Sequence, residues 1–196
     1  MTRHERPRQS TGSRASIATV AARLMAEDGI TDYHHAKRKA ARQLGLPEHA
    51  AFPDNAEVEA ELRAYRSLYQ GEEHPEMLAA MRQSALELLI LLADFNPYLT
   101  GSVLDGTAGE HSRIDILLFA DSAKEVEIFL LNRGIDVDHA EPGNERVEAV
   151  LVMETDTVDA NLIIMSPALE RIALKHRDGR PRERVRVDAL RALLDE

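Results

Sequence analysis

The 196-residue chain has no cysteine and no tryptophan. The absence of cysteine excludes disulfides, zinc–thiolate sites, iron–sulfur clusters and cysteine nucleophiles. Aromatic residues make up only 4% of the chain, which argues against a stacking surface for single-stranded nucleic acid. No stretch is long and apolar enough to span a membrane, and the arginine-containing N-terminus lacks the apolar segment of a secretory signal. We therefore expect a cytoplasmic protein with no membrane partner.

The net charge of −10 argues against the chain as a whole binding a polyanion, but the charge is unevenly spread. Residues 1–14 hold four arginines and one glutamate, and residues 171–186 hold seven basic and two acidic residues. A further basic stretch covers residues 35–42. Either of the last two stretches could follow a nucleic-acid backbone, as in an RNA-directed transferase, and binding would then depend steeply on salt. A solvated face is the commoner cause of such runs.

The first half of the chain has the apolar spacing of helices. Residues 1–13 are polar and are predicted to form a disordered basic tail. In residues 14–95, apolar side chains recur three and four positions apart in four segments, which predicts a module of four helices. We expect this module either to support the rest of the chain or to shape an acceptor site. It is also the expected surface for contact with a partner or with a second copy of the chain.

The pattern changes at Pro97, and residues 96–196 are predicted to form a mixed β-sheet flanked by helices. Ile114–Phe119 is apolar almost throughout, as in a strand buried on both faces. Two β-rich runs, Val147–Met153 and Thr157–Met165, predict a hairpin. Further helices are predicted over residues 122–133, 167–177 and 187–195. The expected class is α+β, with the helical module before the sheet.

One stretch combines a glycine–serine turn with an acid on the buried strand. A short extended segment leads into Gly101 and Ser102, and Asp115 lies on the strand that follows. Glycine lets the backbone approach a ligand closely, while the serine offers a hydroxyl and a backbone N–H to phosphate oxygens. An acid on the neighbouring strand could hold Mg²⁺ against that phosphate. An ordinary turn, with Asp115 paired to Arg113, would explain the same residues.

These residues resemble the nucleotidyltransferase fold shared by DNA polymerase β, kanamycin nucleotidyltransferase and the small MNT-type nucleotidyltransferases. The family pattern is a hydrophobic residue before Gly-Ser, a glycine-containing loop, Ser-Asp-hydrophobic-Asp on a strand, and a third acid on a later strand. Gly101, Ser102 and Asp115 match this pattern. Loop positions that many members fill with Gly, Ala and Ser align without a gap to Gly106, Ala108 and Ser112.

The resemblance covers residues 97–165, roughly a third of the chain, and its third acid is assigned to Asp159 on the predicted hairpin. A solvent-facing role would explain Asp159 equally well. Asn161 shares a strand face with Asp159 and is its rival for the site.

The resemblance implies transfer of a nucleoside monophosphate from an NTP to an acceptor hydroxyl, with release of pyrophosphate. Gly101 and Ser102 would hold the β- and γ-phosphates. Asp115 and Asp159 would be the catalytic acids and would bind Mg²⁺ or Mn²⁺. The implied partners are the NTP and an acceptor, whether protein, small molecule or RNA, that the sequence does not identify.

Arg113 stands where the family has the first acid of its strand pair. Its cation lies about 7 Å along the strand from Asp115, at ~3.4 Å per residue, and would repel Mg²⁺. It could instead pair with Asp115 or contact a nucleotide phosphate directly. Asp105 and Glu110 are candidates for a replacement metal ligand. The second interpretation is therefore a pseudoenzyme: a catalytically degenerate nucleotide-binding or interaction module on the same fold.

Overall fold

The computed structural model describes residues 9–47, 50–69, 73–175 and 179–195. Contacts within the chain divide it into two units, Met1–His74 and Pro75–Glu196. The first unit contains helices and the second contains a mixed six-stranded sheet with helices, so the predicted α+β class is confirmed. None of the described helices combines the length and the apolar character needed to cross a membrane.

The first unit is built from three helices around a small apolar core. The helices are α1 (Gln9–Glu27), α2 (Tyr33–Gln43) and α3 (Asn55–Tyr69). Asp32 caps α2 by accepting a hydrogen bond from the backbone N–H of His35. Helix α1 begins at Gln9, so residues 9–13, predicted to be disordered, are helical, whereas residues 1–8 of the predicted tail lie outside the described residues.

Capping also fixes the start of α3. Asp54 and Glu57 exchange backbone-to-side-chain hydrogen bonds of 2.7 and 2.9 Å, which forms a capping box. The Glu57 carboxylate also accepts hydrogen bonds from Arg14 of α1. The core between the helices consists mainly of small and aliphatic side chains, including Ile17, Ala21, Leu24, Ala36, Ala40, Val58 and Leu62.

The second unit contains both helices and strands. Its α-helices are α4 (Glu73–Leu91), α5 (Ser102–Asp105), α6 (Ala123–Leu131) and α7 (Val187–Leu194). Its strands are β1 (Tyr98–Thr100), β2 (Ile114–Phe119), β3 (Asp138–Ala140), β4 (Val147–Met153), β5 (Ala160–Met165) and β6 (Arg184–Val185). The strand order is β3-β4-β5-β2-β1-β6, and β2 runs parallel to β5 while the other pairs are antiparallel.

The two faces of the sheet are buried to different extents. The main core lies on the face that carries Ile116, Leu118 and Leu162, packed with side chains of α4, α6 and α7. The other face carries a smaller apolar cluster, in which Leu117 and Phe119 are buried with other apolar residues. Strand β2 is therefore buried on both faces, as its continuous apolar sequence predicted.

Three further features of the fold differ from the sequence-based expectations. Helix α4, which was predicted to belong to the helical module of residues 14–95, packs its leucines into the main core of the sheet. The boundary between the two units therefore follows His74 and does not lie near residue 95. The predicted helix over 167–177 is wrong for its described residues, 167–175: of these only Pro167–Leu169 is helical, as one 3-10 turn, and Lys175 forms a β-bridge with Pro181. Strands β3 and β6 and helix α5 were not predicted, because two to four residues carry no measurable periodicity.

Truncation of a core side chain of β2 tests this arrangement. Leu118 is fully buried, whereas Leu131 is 65% exposed. We expect Leu118→Ala to lower the free energy of unfolding by about 2–5 kcal/mol, because it removes buried contacts and leaves a cavity. The control Leu131→Ala should change it by less than about 0.5 kcal/mol. Urea denaturation followed by circular dichroism measures both, and equal losses would contradict a core position for β2.

Candidate functional site

The start of β2 and the start of β5 bring four polar residues together. The two strands pair in parallel, with Asp115 opposite Asn161, and the backbone N–H of Ile114 donates to the carbonyl of Asp159. Residues two apart on a strand share a face. Arg113, Asp115, Asp159 and Asn161 therefore lie on one face, which is opposite to the main core.

The four side chains form two cross-strand pairs. A terminal nitrogen of Arg113 lies 3.5 Å from Asp159 Oδ2, and the two side chains are 48% and 40% exposed. The Asn161 side chain donates a hydrogen bond of 2.9 Å to Asp115 Oδ1. The strand register thus places Asp159 beside Arg113. The neighbour of Asp115 is Asn161, the alternative to Asp159 at the position of the third acid.

The turn after β1 packs directly on Asp115. Strand β1 pairs with β2 so that Thr100 lies opposite Asp115, and Gly101 follows with φ 76° and ψ −158°. Only glycine adopts this backbone conformation readily. A Cβ at Gly101 would also lie 2.7 Å from Asp115 Oδ2. The sequence predicted that the backbone at Gly101 approaches a ligand closely. In the structure this backbone lies close to the Asp115 carboxylate of the same chain.

The loop from Ser102 to Arg113 is held by its own hydrogen bonds. Ser102 begins α5, and its carbonyl accepts from the backbone N–H of Ala108. Asp105 Oδ1 accepts from the N–H and the hydroxyl of Thr107 at 2.9 and 2.5 Å. Asp105 is thus engaged within the loop, and Glu110, the other candidate for a replacement metal ligand, is exposed.

Arg182, which was not predicted as a site residue, also reaches this site. Its Nε donates to Thr100 Oγ1 at 3.2 Å, and a terminal nitrogen lies 3.9 Å from Asp115 Oδ2. The sequence places Arg182 in a basic run that was interpreted as solvated. Arginine at every second position from 182 to 186 was the available signal, since a period of two is typical of a strand.

The basic stretch at residues 35–42 lies on α2, and its lysines are used inside the first unit. Lys37 donates to the carbonyl of Pro53 and to Asn55, and Lys39 lies 2.8 Å from Asp28. These contacts give the two lysines a structural role. Binding of nucleic acid by this helix stays a prediction.

Partial burial acts on the pKa of Asp115, whose side chain is 27% exposed. Desolvation raises the pKa of this carboxyl above its ordinary value of 3.8. The hydrogen bond from Asn161 and the charges of Arg182 and Arg113 act in the opposite direction, but they do not outweigh burial. The charge of Asp105 raises the pKa further.

These residues do not suit the two-acid metal site that the resemblance implies. Among the described residues, no three Asp, Glu, His or Cys side chains cluster as metal ligands. Each carboxylate of the site also has a guanidinium within 4 Å: Arg113 beside Asp159, and Arg182 beside Asp115. A hard dication prefers several oxygen ligands and is repelled by these cations. Mg²⁺ or Mn²⁺ stays a prediction that this donor set does not favour.

No protein-family model matches the chain, and no curated protein sequence matches it. The resemblance to nucleotidyltransferases therefore depends on the residues of the 97–165 segment and stays a prediction. The chemistry of the site has to follow from its own contacts.

Replacing Gly101 tests the packing of the turn on Asp115. Gly101→Ala should cost about 1–3 kcal/mol for the backbone conformation and a further 1–3 kcal/mol or so for the collision with Asp115. Gly134→Ala is the control, because Gly134 also has a positive φ, of 71°, but has nothing within 4 Å of a new Cβ. Urea denaturation should show the larger loss at Gly101, and Asp115→Ala should partly restore it in the double variant. Equal losses at the two glycines would contradict the collision.

The raised pKa of Asp115 gives a pH dependence of a definite sign. The folded protein holds this proton more tightly than the unfolded chain, so ionisation of Asp115 costs stability. Relative to Asp115→Asn, the wild-type free energy of unfolding should fall as the pH rises from 3.8 through the raised pKa, and then level off. Urea denaturation of both proteins across this range measures the difference, in which other titrating groups cancel. A wild-type free energy of unfolding that rises with pH, relative to that of Asp115→Asn, would contradict the effect of burial.

Proposed function

We propose that the chain is a catalytically degenerate nucleotide-binding module on a nucleotidyltransferase-like fold, which binds the phosphates of an NTP beside the Gly101 turn without a metal. The observation that carries the proposal is the pairing of each site carboxylate with an arginine on the same face of the sheet. Guanidinium groups match phosphate oxygens in shape and charge.

The replaced first acid supports loss of transfer activity. Arg113 occupies the position of the first acid, and Asn161 is the residue opposite Asp115. Catalysis in this class depends on positioning and on electrostatic stabilisation, so loss of a metal ligand costs orders of magnitude in rate. Binding of the phosphates does not need the missing first acid.

The exposed Arg113–Asp159 pair supports phosphate binding. An ion pair this exposed stabilises a protein by no more than about 1 kcal/mol. A phosphate can therefore replace Asp159 as the partner of Arg113 at small cost. The charge-assisted bonds that it makes to the guanidinium are stronger than neutral ones.

A metal-dependent nucleotidyltransferase is the second candidate. One observation favours it: Asp115 and Asp159 lie on the same face of the sheet, and Asp115 lies beside the turn that contains Gly101 and Ser102. On this proposal both acids are catalytic, and the acceptor is the unknown second substrate.

Thermal unfolding with each of the four NTPs, with and without Mg²⁺ or Mn²⁺, separates the two candidates. An NTP at about 100 times its dissociation constant stabilises the protein by about 2.7 kcal/mol, which is a shift of a few degrees. We expect a shift without metal. Arg113→Asp should abolish it, whereas Arg146→Asp, the same charge change at an exposed loop position, should not.

A shift that appears only with metal, together with release of pyrophosphate, would favour the transferase. A metal-dependent shift gained by Arg113→Asp would identify a degenerate enzyme that regains its metal site. No shift with any NTP would overturn nucleotide binding.

A further inference from the structure

We propose that Arg182 is an anion-binding residue of this site, oriented by Thr100, and that Asp115 competes with the ligand for it. The ligand class is a metal-free oligophosphate, either free or as part of a nucleotide. The inference deepens the proposed function and rests on it for the nucleotide part of the ligand.

Thr100 fixes the guanidinium through one edge. Thr100 is fully buried, and its hydroxyl donates to the carbonyl of Glu183 at 2.7 Å. A hydroxyl has one proton, so the bond to Glu183 leaves a lone pair of Oγ1 to accept from Arg182 Nε at 3.2 Å. This bond uses Nε and leaves the two terminal nitrogens of Arg182 without a bond to Thr100.

Those nitrogens are available to a ligand. The 3.9 Å between Arg182 and Asp115 Oδ2 is an ion-pair distance but too long for a hydrogen bond. Among the described residues, the hydrogen bond to Thr100 is the one that the Arg182 side chain makes. The side chain is 29% exposed, so a phosphate oxygen from solvent can reach it.

The neighbouring arginines at positions 184 and 186 differ from Arg182. Arg184 donates to the carbonyl of Glu170, and its guanidinium lies 4.8 Å from the ring centre of Tyr98. Arg186 donates to the Glu170 carboxylate and lies 4.6 Å from the same ring. These two cations are used to hold the C-terminal segment on the sheet, while Arg182 lies at the polar end beside Asp115.

The charges around Arg182 favour phosphate without a metal. Arg113 and Arg182 both act on Asp115, so two cations lie near it. A dication bound to the phosphates would be repelled by both guanidiniums and would lower the negative charge of the ligand. Mg²⁺ should therefore weaken binding. Removing the charge of Asp115 should strengthen it, because the carboxylate repels phosphate and holds Arg182.

Calorimetric titration tests the inference with inorganic tripolyphosphate, ATP and adenosine, first without metal and then with Mg²⁺. Arg182→Ala should weaken tripolyphosphate and ATP about tenfold or more, as expected for a charge-assisted contact. Arg191→Ala, the same charge change on α7, should leave both affinities within about twofold. Asp115→Asn should tighten metal-free tripolyphosphate severalfold.

The positioning role of Thr100 has its own variants. Thr100→Val should weaken tripolyphosphate, and Thr100→Ser, which keeps the hydroxyl, should restore the affinity. Circular dichroism checks the folding of each variant. If Arg182→Ala does not fold, Arg182→Lys keeps the charge without the guanidinium fork and should still bind tripolyphosphate more weakly than the wild type.

The outcomes separate this inference from the proposed function. Unchanged tripolyphosphate and ATP affinities in folded Arg182 variants would overturn the role of Arg182 while leaving nucleotide binding in place. Arg182-dependent binding of tripolyphosphate, with no binding of ATP, would support the anion site and overturn the nucleotide module. Weaker tripolyphosphate binding in Asp115→Asn would overturn the competition, and no binding of either phosphate ligand by the wild type would overturn both proposals.

Discussion

Because β2 and β5 run parallel with Ile114 opposite Ala160, each polar residue at the start of β2 has a fixed neighbour on β5. A slip of one residue would turn the main-core side chains of β2 to the polar face and bury Arg113 and Asp115 in their place. The apolar contacts of Ile114 and Ile116 thus set the register, and the register sets the partners of the polar residues. The pairing of arginine with carboxylate at the site is in this way a consequence of core packing.

Much of the fold follows from local patterns in the sequence. The sequence predicted the continuous apolar run of β2, the four helical periodicities and the β4–β5 hairpin. Each of these has a periodic pattern or a turn that is visible within a short stretch of sequence. The helix predicted for the segment after Pro167 was wrong. Leu169 and Leu174 pack with apolar residues of the sheet from an irregular segment and not from one face of a helix. Packing against the sheet overrides local helix propensity there.

The candidate site was predictable only in part, for a related reason. Gly101 and Asp115 lie close in sequence, and adjacent antiparallel strands bring them together, so a local motif was enough to find them. The partners of Asp115 depend on the register of β5 and on the path of the C-terminal segment. Arg182 is 82 residues from Thr100, and the alternating arginines around it indicate a strand but not its contact with Thr100.

The sheet ends in short strands, β3 with three residues and β6 with two. An outer strand exposes unpaired backbone groups to which a strand of another chain can add, and long flat edges therefore promote aggregation. Here one edge carries Asp138 and His139 and the other carries Arg184. Edges this short and polar offer few backbone hydrogen bonds to a strand of another chain. The sheet therefore disfavours addition of further strands, while its longer strands β2 and β5 have neighbours on both sides.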